Sequence, residues 1–116
     1  MFGSALRVTG INNKTLPEAF ADAGISQRVL ESIIDSAKKN GIRKLCLFGS
    51  RARGDHDKKS DIDLAVYDGN AELFKLDIDE SVPTLLMFDV VDMKRTSSEE
   101  LKKIVEKEGI VLYEEV

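Results

Sequence analysis

The segment Asp61 to Tyr67, DIDLAVY, constrains the fold most strongly. Ile62, Leu64 and Val66 alternate with Asp61, Asp63 and Ala65, which is the period of two of a β-strand. One face of this strand is apolar and belongs in a core. The other brings two carboxylates onto neighbouring same-face positions. Like charges that are even half-buried repel unless a cation pairs them, so the pattern predicts a sheet and, at its edge, a place for a divalent ion.

The flanking sequence supplies helices for that sheet. Ser26 is placed as an N-cap, and Val29, Leu30, Ile33, Ile34 and Ala37 follow at helical spacing until Asn40-Gly41 stops the run. Leu45 to Phe48 reads as a short buried strand, and Gly49 to Ser60 as a charged loop. After Asp61 to Tyr67, the turn Asp68-Gly69-Asn70 leads into a helix over Ala71 to Glu80, then a strand over Leu85 to Val91 that carries Asp89. Ser97 and Glu100 form a capping box for a helix with Leu101, Ile104 and Val105 inside, closed by Gly109 before a last strand, Ile110 to Tyr113. Strands alternating with helices predict α/β or α+β architecture, a small mixed sheet flanked by helices. Upstream, Thr15 and Glu18 form another capping box, with Gly24 placed to end its short helix. Residues 1–25 are read as an arm and short helix, and residues 26–116 as the domain proper.

Composition excludes several classes. The 116 residues suit one domain, and 42% hydrophobic with 33% charged residues is globular, not disordered. No apolar run reaches the roughly 18–20 residues of a membrane span, and the first ten residues lack a leader pattern, so a cytoplasmic protein without membrane contact is expected. A net charge of −4 disfavours long nucleic acid as a partner while leaving a single nucleotide open. The single cysteine, Cys46, lies in an apolar run and reads as a buried hydrophobe.

The chemistry concentrates in Leu47 to Asp68, LFGSRARGDHDKKSDIDLAVYD. Carboxylate oxygens suit Mg²⁺, or Mn²⁺ in its place, and such ions also bind substrate phosphates. A third carboxylate would let the site hold two ions, and Asp89 is the candidate, with Asp92 close enough that either residue also reads as a turn cap. Gly49 allows backbone N–H groups to approach a phosphate, Ser50 offers a hydroxyl, and Arg51 or Arg53 offsets phosphate charge. Each part also has a plain reading. Gly49, Ser50 and Gly54 are turn residues, and Arg51, Arg53, Lys58 and Lys59 form a solvated charge run. His56, the only histidine, reads as a solvated loop residue.

Gly49-Ser50, ten intervening residues and Asp61-Ile62-Asp63 together resemble the signature of the polymerase-β-like nucleotidyltransferase superfamily. The fuller LFGSRARG and SDIDLAV resemble its minimal nucleotidyltransferase branch, which includes the MntA-type antitoxins. FDVVD at Phe88 to Asp92 resembles the third-carboxylate strand and EKEGIVLYE the C-terminal segment, so the resemblance runs from about Ser26 to the end. It implies a nucleotidyltransferase fold and transfer of a nucleoside monophosphate, above all AMP from ATP, to a hydroxyl. It implies Asp61, Asp63 and Asp89 as ligands of Mg²⁺, Asp89 also as general base, Gly49 and Ser50 as triphosphate contacts, and Arg53 as a supporting basic residue. Minimal members pair with a helical HEPN-type protein, so such a partner is expected; a homo-oligomer is left open beside it. Two alternatives stand: a nucleotide-binding module that sequesters a HEPN-like protein without turnover, and a small-molecule nucleotidyltransferase.

Overall fold

In a computed structural model that describes residues 23–115, Ser26 Oγ accepts a hydrogen bond from Val29 N at 3.2 Å and opens helix α1, Gln27–Lys39. All five predicted apolar positions of α1 are buried. Asn40 caps its end, and Gly41, at φ 73°, turns the chain away. There follow β1 (Lys44–Phe48), a single helical turn α2 (Ser50–Arg53), β2 (Ile62–Tyr67), α3 (Ala71–Ser81), β3 (Phe88–Asp92), α4 (Glu99–Glu108) and β4 (Ile110–Glu114).

The four strands form one mixed sheet in the order β3-β2-β1-β4. β1 is antiparallel to both β2 and β4, while β2 and β3 are parallel. A parallel pair needs a crossover, and α3 provides it. On one face, Leu45, Leu47, Ile62, Leu64, Val66, Phe88 and Leu112 pack with Leu30, Ile33, Phe74 and Ile78 of α1 and α3. On the other, Cys46, Phe48 and Ala65 pack with Val105 of α4. Leu64 is fully buried at the centre, so Leu64→Ala costs about 2–5 kcal/mol, more than any one surface contact contributes. Among the described residues no helix is long and apolar enough to cross a membrane.

Four sequence expectations are corrected. The 49–60 segment is not all loop, because α2 forms within it and Gly54, at φ 85°, closes that turn. β3 begins at Phe88, not Leu85: Thr84 N donates to Val82 O and Leu86 N to Thr84 Oγ1, a local turn that leaves Leu85 fully exposed. Ser98, not Ser97, caps α4, its Oγ accepting from Leu101 N at 3.1 Å. Of Leu101, Ile104 and Val105 only Val105 is buried, since α4 covers a small cluster that needs a narrow stripe. At the other end, Ala23 is helical and Gly24 follows at φ 68°, in keeping with a glycine stop; the predicted start at Thr15 lies outside the described residues.

Candidate active site

Three strand segments bring the predicted residues to one level of the sheet. Phe48 on β1 is paired with Asp63 on β2, and Asp63 with Asp89 on β3. In-register neighbours share a face, so Asp63 and Asp89 stand side by side, on the face that α4 covers further along at Ala65. Immediately after Phe48 the chain turns at Gly49, with φ 77° and ψ −156°. A Cβ at Gly49 would lie 2.2 Å from Asp63 Oδ2. Glycine is therefore required twice over, by its backbone angle and by the carboxylate lying against it. Ser50 begins α2 directly beside this contact and is half-exposed.

Asp63 is half-buried, and its carboxyl is held above the ordinary 3.8. Burial is the main cause, the negative charges of Asp89 and Asp61 add to it, and Arg53 opposes it. Asp61 lies one residue before β2 and is exposed, as is Asp89. Among the described residues no three His, Cys, Asp or Glu side chains converge as a ready metal cluster. The donor set nevertheless fits a hard divalent cation: the available atoms are carboxylate oxygens, and the Asp63 carboxylate is disfavoured by two like charges that a cation would offset.

The alternative third carboxylate, Asp92, is separated from this group by the strand's alternation. It pairs with Val66, on the opposite face to Asp89. Its Oδ1 accepts from Lys94 N at 3.0 Å and its carbonyl from Arg95 N and Thr96 N, so Asp92 caps the turn leaving β3.

The two arginines separate as well. Residues two apart on a helix point about 200° from each other. Arg53 reaches toward the site, donating to Asp55 Oδ2 at 3.0 Å and to Glu108 Oε1 at 2.9 Å, and its charge is felt at Asp63. Arg51 points inward, is 2% exposed, and donates to the carbonyls of Ala23, Gly24, Lys58 and Ser60. The expectation that Arg51 offsets phosphate charge is thereby corrected: its guanidinium is spent on backbone oxygens. The helical spacing of Arg51 and Arg53 was a signal for this. No sequence signal linked Glu108 to Arg53, 55 residues away.

His56 is not the fully solvated loop residue expected. Its Nδ1 is enclosed without a hydrogen-bond partner, and Nε2 lies where a Cβ on Gly24 would be, 2.6 Å away. Cys46 is buried, and burial pushes its thiol up to about 11, which fits a packing role.

A mixed sheet with a glycine turn set against paired strand aspartates defines a nucleotidyltransferase fold. Residues 31–116 match the family described as "Polymerase beta, Nucleotidyltransferase", and the chain belongs to that family. It is 36% identical over 99 residues to "Putative protein adenylyltransferase MJ0604" of Methanocaldococcus jannaschii, covering 75% of this chain and 97% of that protein. Its fold is similar to that of a chain in a crystal structure of a toxin–antitoxin with AMP-PNP, with a TM-score of 0.60, 24% identity and 73% of each chain covered.

Proposed function

We propose that this nucleotidyltransferase moves AMP from ATP onto a hydroxyl of a partner protein, with Mg²⁺ or Mn²⁺ as cofactor. The observation that carries this reading is the register of Asp63 with Asp89, with the Asp63 carboxylate lying against the Gly49 turn. The name of the M. jannaschii relative, "Putative protein adenylyltransferase MJ0604", supports AMP as the group and protein as the acceptor.

Asp61, Asp63 and Asp89 are the residues that would hold the cation. When bound, it would offset charge on the leaving pyrophosphate and lower the pKa of the attacking hydroxyl. Gly49 lets the backbone approach the triphosphate closely, and Ser50 donates its hydroxyl to a phosphate oxygen. Arg53 offsets phosphate charge from the rim, steered there by Glu108 and Asp55. Asp89, exposed on the edge strand, accepts the proton of the acceptor hydroxyl as it attacks the α-phosphorus. The bond from that hydroxyl oxygen to phosphorus forms as the bond to the β-phosphate bridge oxygen breaks, and pyrophosphate leaves.

Alignment of the reacting groups supplies much of the rate in such a transfer. The described residues are largely committed to the sheet and its helices, so the acceptor brings its own docking surface. A folded HEPN-type protein meets that need better than a small molecule. Incubating the chain with α-labelled ATP, Mg²⁺ and a HEPN-type protein encoded beside it is expected to label the partner, which gains mass in steps of one AMP. Tight complex formation without label would favour a sequestering module, and efficient labelling of a small hydroxyl compound by the chain alone would favour a small-molecule transferase.

A further inference from the structure

Asp61 differs from the other two carboxylates in how it is held. Asp63 and Asp89 lie inside paired strands, whereas Asp61 precedes β2. Its backbone is fixed from two sides. After it in the chain, Ile62 N donates to Met87 O at 2.9 Å. Before it, Ser60 O accepts from Arg51 Nε at 3.0 Å. The Ser60 carbonyl and the Asp61 N–H belong to one planar peptide unit, so fixing that oxygen fixes the plane that carries Asp61 Cα.

Arg51 holds more than this one oxygen. The same guanidinium donates to Ala23 O at 2.8 Å, Gly24 O at 3.3 Å and Lys58 O at 3.4 Å. It therefore ties three stretches of chain: the turn at Ala23-Gly24, the loop end at 58–60, and α2 itself, which begins at the Gly49 turn. Ala23 and Gly24 lie outside the segment that matches the family, residues 31–116. A planar fork with five donors can hold such a set of oxygens, whereas an ammonium on a flexible stem holds fewer and less directionally. A buried arginine whose donors are engaged by carbonyls is a strut between backbones.

We infer that Arg51 is a positioning residue for the metal site: by binding Ser60 O while braced on Ala23 O and Gly24 O, it sets the direction of the Asp61 carboxylate. The inference rests on the proposed role of Asp61 as a cation ligand. Residues that orient metal ligands without touching the metal typically account for about 10–100-fold in metal affinity. Loosening the strut leaves Asp63 and Asp89 paired on their strands and weakens the cation chiefly through Asp61.

The test is a calorimetric titration of Mg²⁺ into full-length protein saturated with α,β-methylene ATP, which cannot transfer AMP. Wild type, Arg51→Lys, Gly24→Ala and Asp61→Asn are compared. Gly24→Ala acts from the far end of the strut, where its Cβ, at a backbone φ of 68°, meets His56 Nε2 at 2.6 Å and Arg51 Nη1 at 3.2 Å. A Gly24→Ala/His56→Ala double variant, which keeps only the contact with Arg51, separates the two. Arg51→Lys is expected to raise the Mg²⁺ dissociation constant by about 10-fold or more, and Gly24→Ala to shift it in the same direction. Amide exchange at residues 58–62 should rise in both variants. A reversibly unfolding variant shows an apparent dissociation constant raised by the inverse of its folded fraction. Urea melts therefore first establish that each variant is essentially fully folded under the titration conditions, and loss of stability then does not imitate this shift. If Asp61→Asn weakens Mg²⁺ while both strut variants bind it like wild type, the inference is overturned and the role of Asp61 stands. If Asp61→Asn itself leaves Mg²⁺ binding unchanged, the reading of the site fails, and this inference with it. Where Arg51→Lys does not fold, Gly24→Ala read beside the Gly24→Ala/His56→Ala double variant decides: a raised dissociation constant in both supports the inference, and a shift that vanishes in the double variant overturns it.

Discussion

Asp63 Oδ2 occupies the space that a Cβ on Gly49 would fill, at 2.2 Å. The glycine turn and the aspartate strand are thus two halves of one object, each shaped by the other. Gly49→Ala must push the carboxylate aside and hold an alanine at φ 77°. With ψ at −156° this is a region nearly confined to glycine, and the backbone strain alone costs on the order of 1–3 kcal/mol. Displacement of a ligand carboxylate costs activity beyond that, so AMP transfer is expected to fall by at least about 10²-fold. Urea melts and kcat/KM on the same preparations check both; full activity at reduced stability would separate the glycine from the chemistry.

Asp63 carries a charge that its surroundings disfavour. Its folded-state value is raised above 3.8 by burial and by Asp89 and Asp61, so the protonated form is the better tolerated. Its contribution to stability is then full below pH 3.8 and is lost as pH rises through the folded value. In the metal-free protein, Asp63→Asn is expected to raise the melting temperature at pH 7, with the gain shrinking at pH 4. The same variant should lose AMP transfer. Melting curves in EDTA check the first claim, and an Asn variant less stable than wild type at pH 7 would contradict it.

Asp89 and Asp92 are three residues apart with opposite assignments. Asp89→Asn should reduce turnover by at least about 10²-fold with little change in nucleotide affinity, because removing a general base acts on the transition state. Asp92→Asn should leave turnover near wild type and change stability little, because the Asn Oδ1 still accepts from Lys94 N. Steady-state kinetics beside equilibrium ATP binding make the comparison. A silent Asp89→Asn with a damaging Asp92→Asn reverses the assignment.

Much of this was legible because it is local. The alternation of Ile62, Leu64 and Val66 with the aspartates, and the helical spacing from Val29 to Ala37, are written in consecutive residues. The glycine turn was legible too, in Gly49-Ser50 closing the apolar run Leu45 to Phe48, and the family resemblance added the roles of its residues. The misreadings have specific causes. Leu85 belongs to an apolar run that reads as strand, yet the turn at Thr84 engages its neighbours' backbone groups and leaves it in solvent. Ser97 and Ser98 both offer caps, and only the register of Leu101 N decides between them. The bonds from Arg51 to Ala23 and from Arg53 to Glu108 span 28 and 55 residues, distances at which no local pattern carries information.

Ser36 and Asp77 join α1 to α3 on the side of the molecule away from the aspartates, and they make a pH-dependent tie. Ser36 is buried, and its hydroxyl donates to Asp77 Oδ2 at 2.5 Å, while Lys39 Nζ lies 3.5 Å from Asp77 Oδ1. The hydrogen bond from Ser36 is the main cause that holds the Asp77 carboxyl below 3.8, with the charge of Lys39 assisting. A depressed folded value means the tie is fully present above pH 3.8 and is lost as pH falls through the folded value. Asp77→Asn removes the charge but keeps the shape, so it should be less stable than wild type at pH 7 and approach wild type near pH 2. Mg²⁺-dependent ATP binding should be unaffected, since neither residue lies on the strands of the site. Urea melts of both proteins across that pH range decide it, and a stability difference independent of pH would show that Asp77 acts through packing, not through its charge.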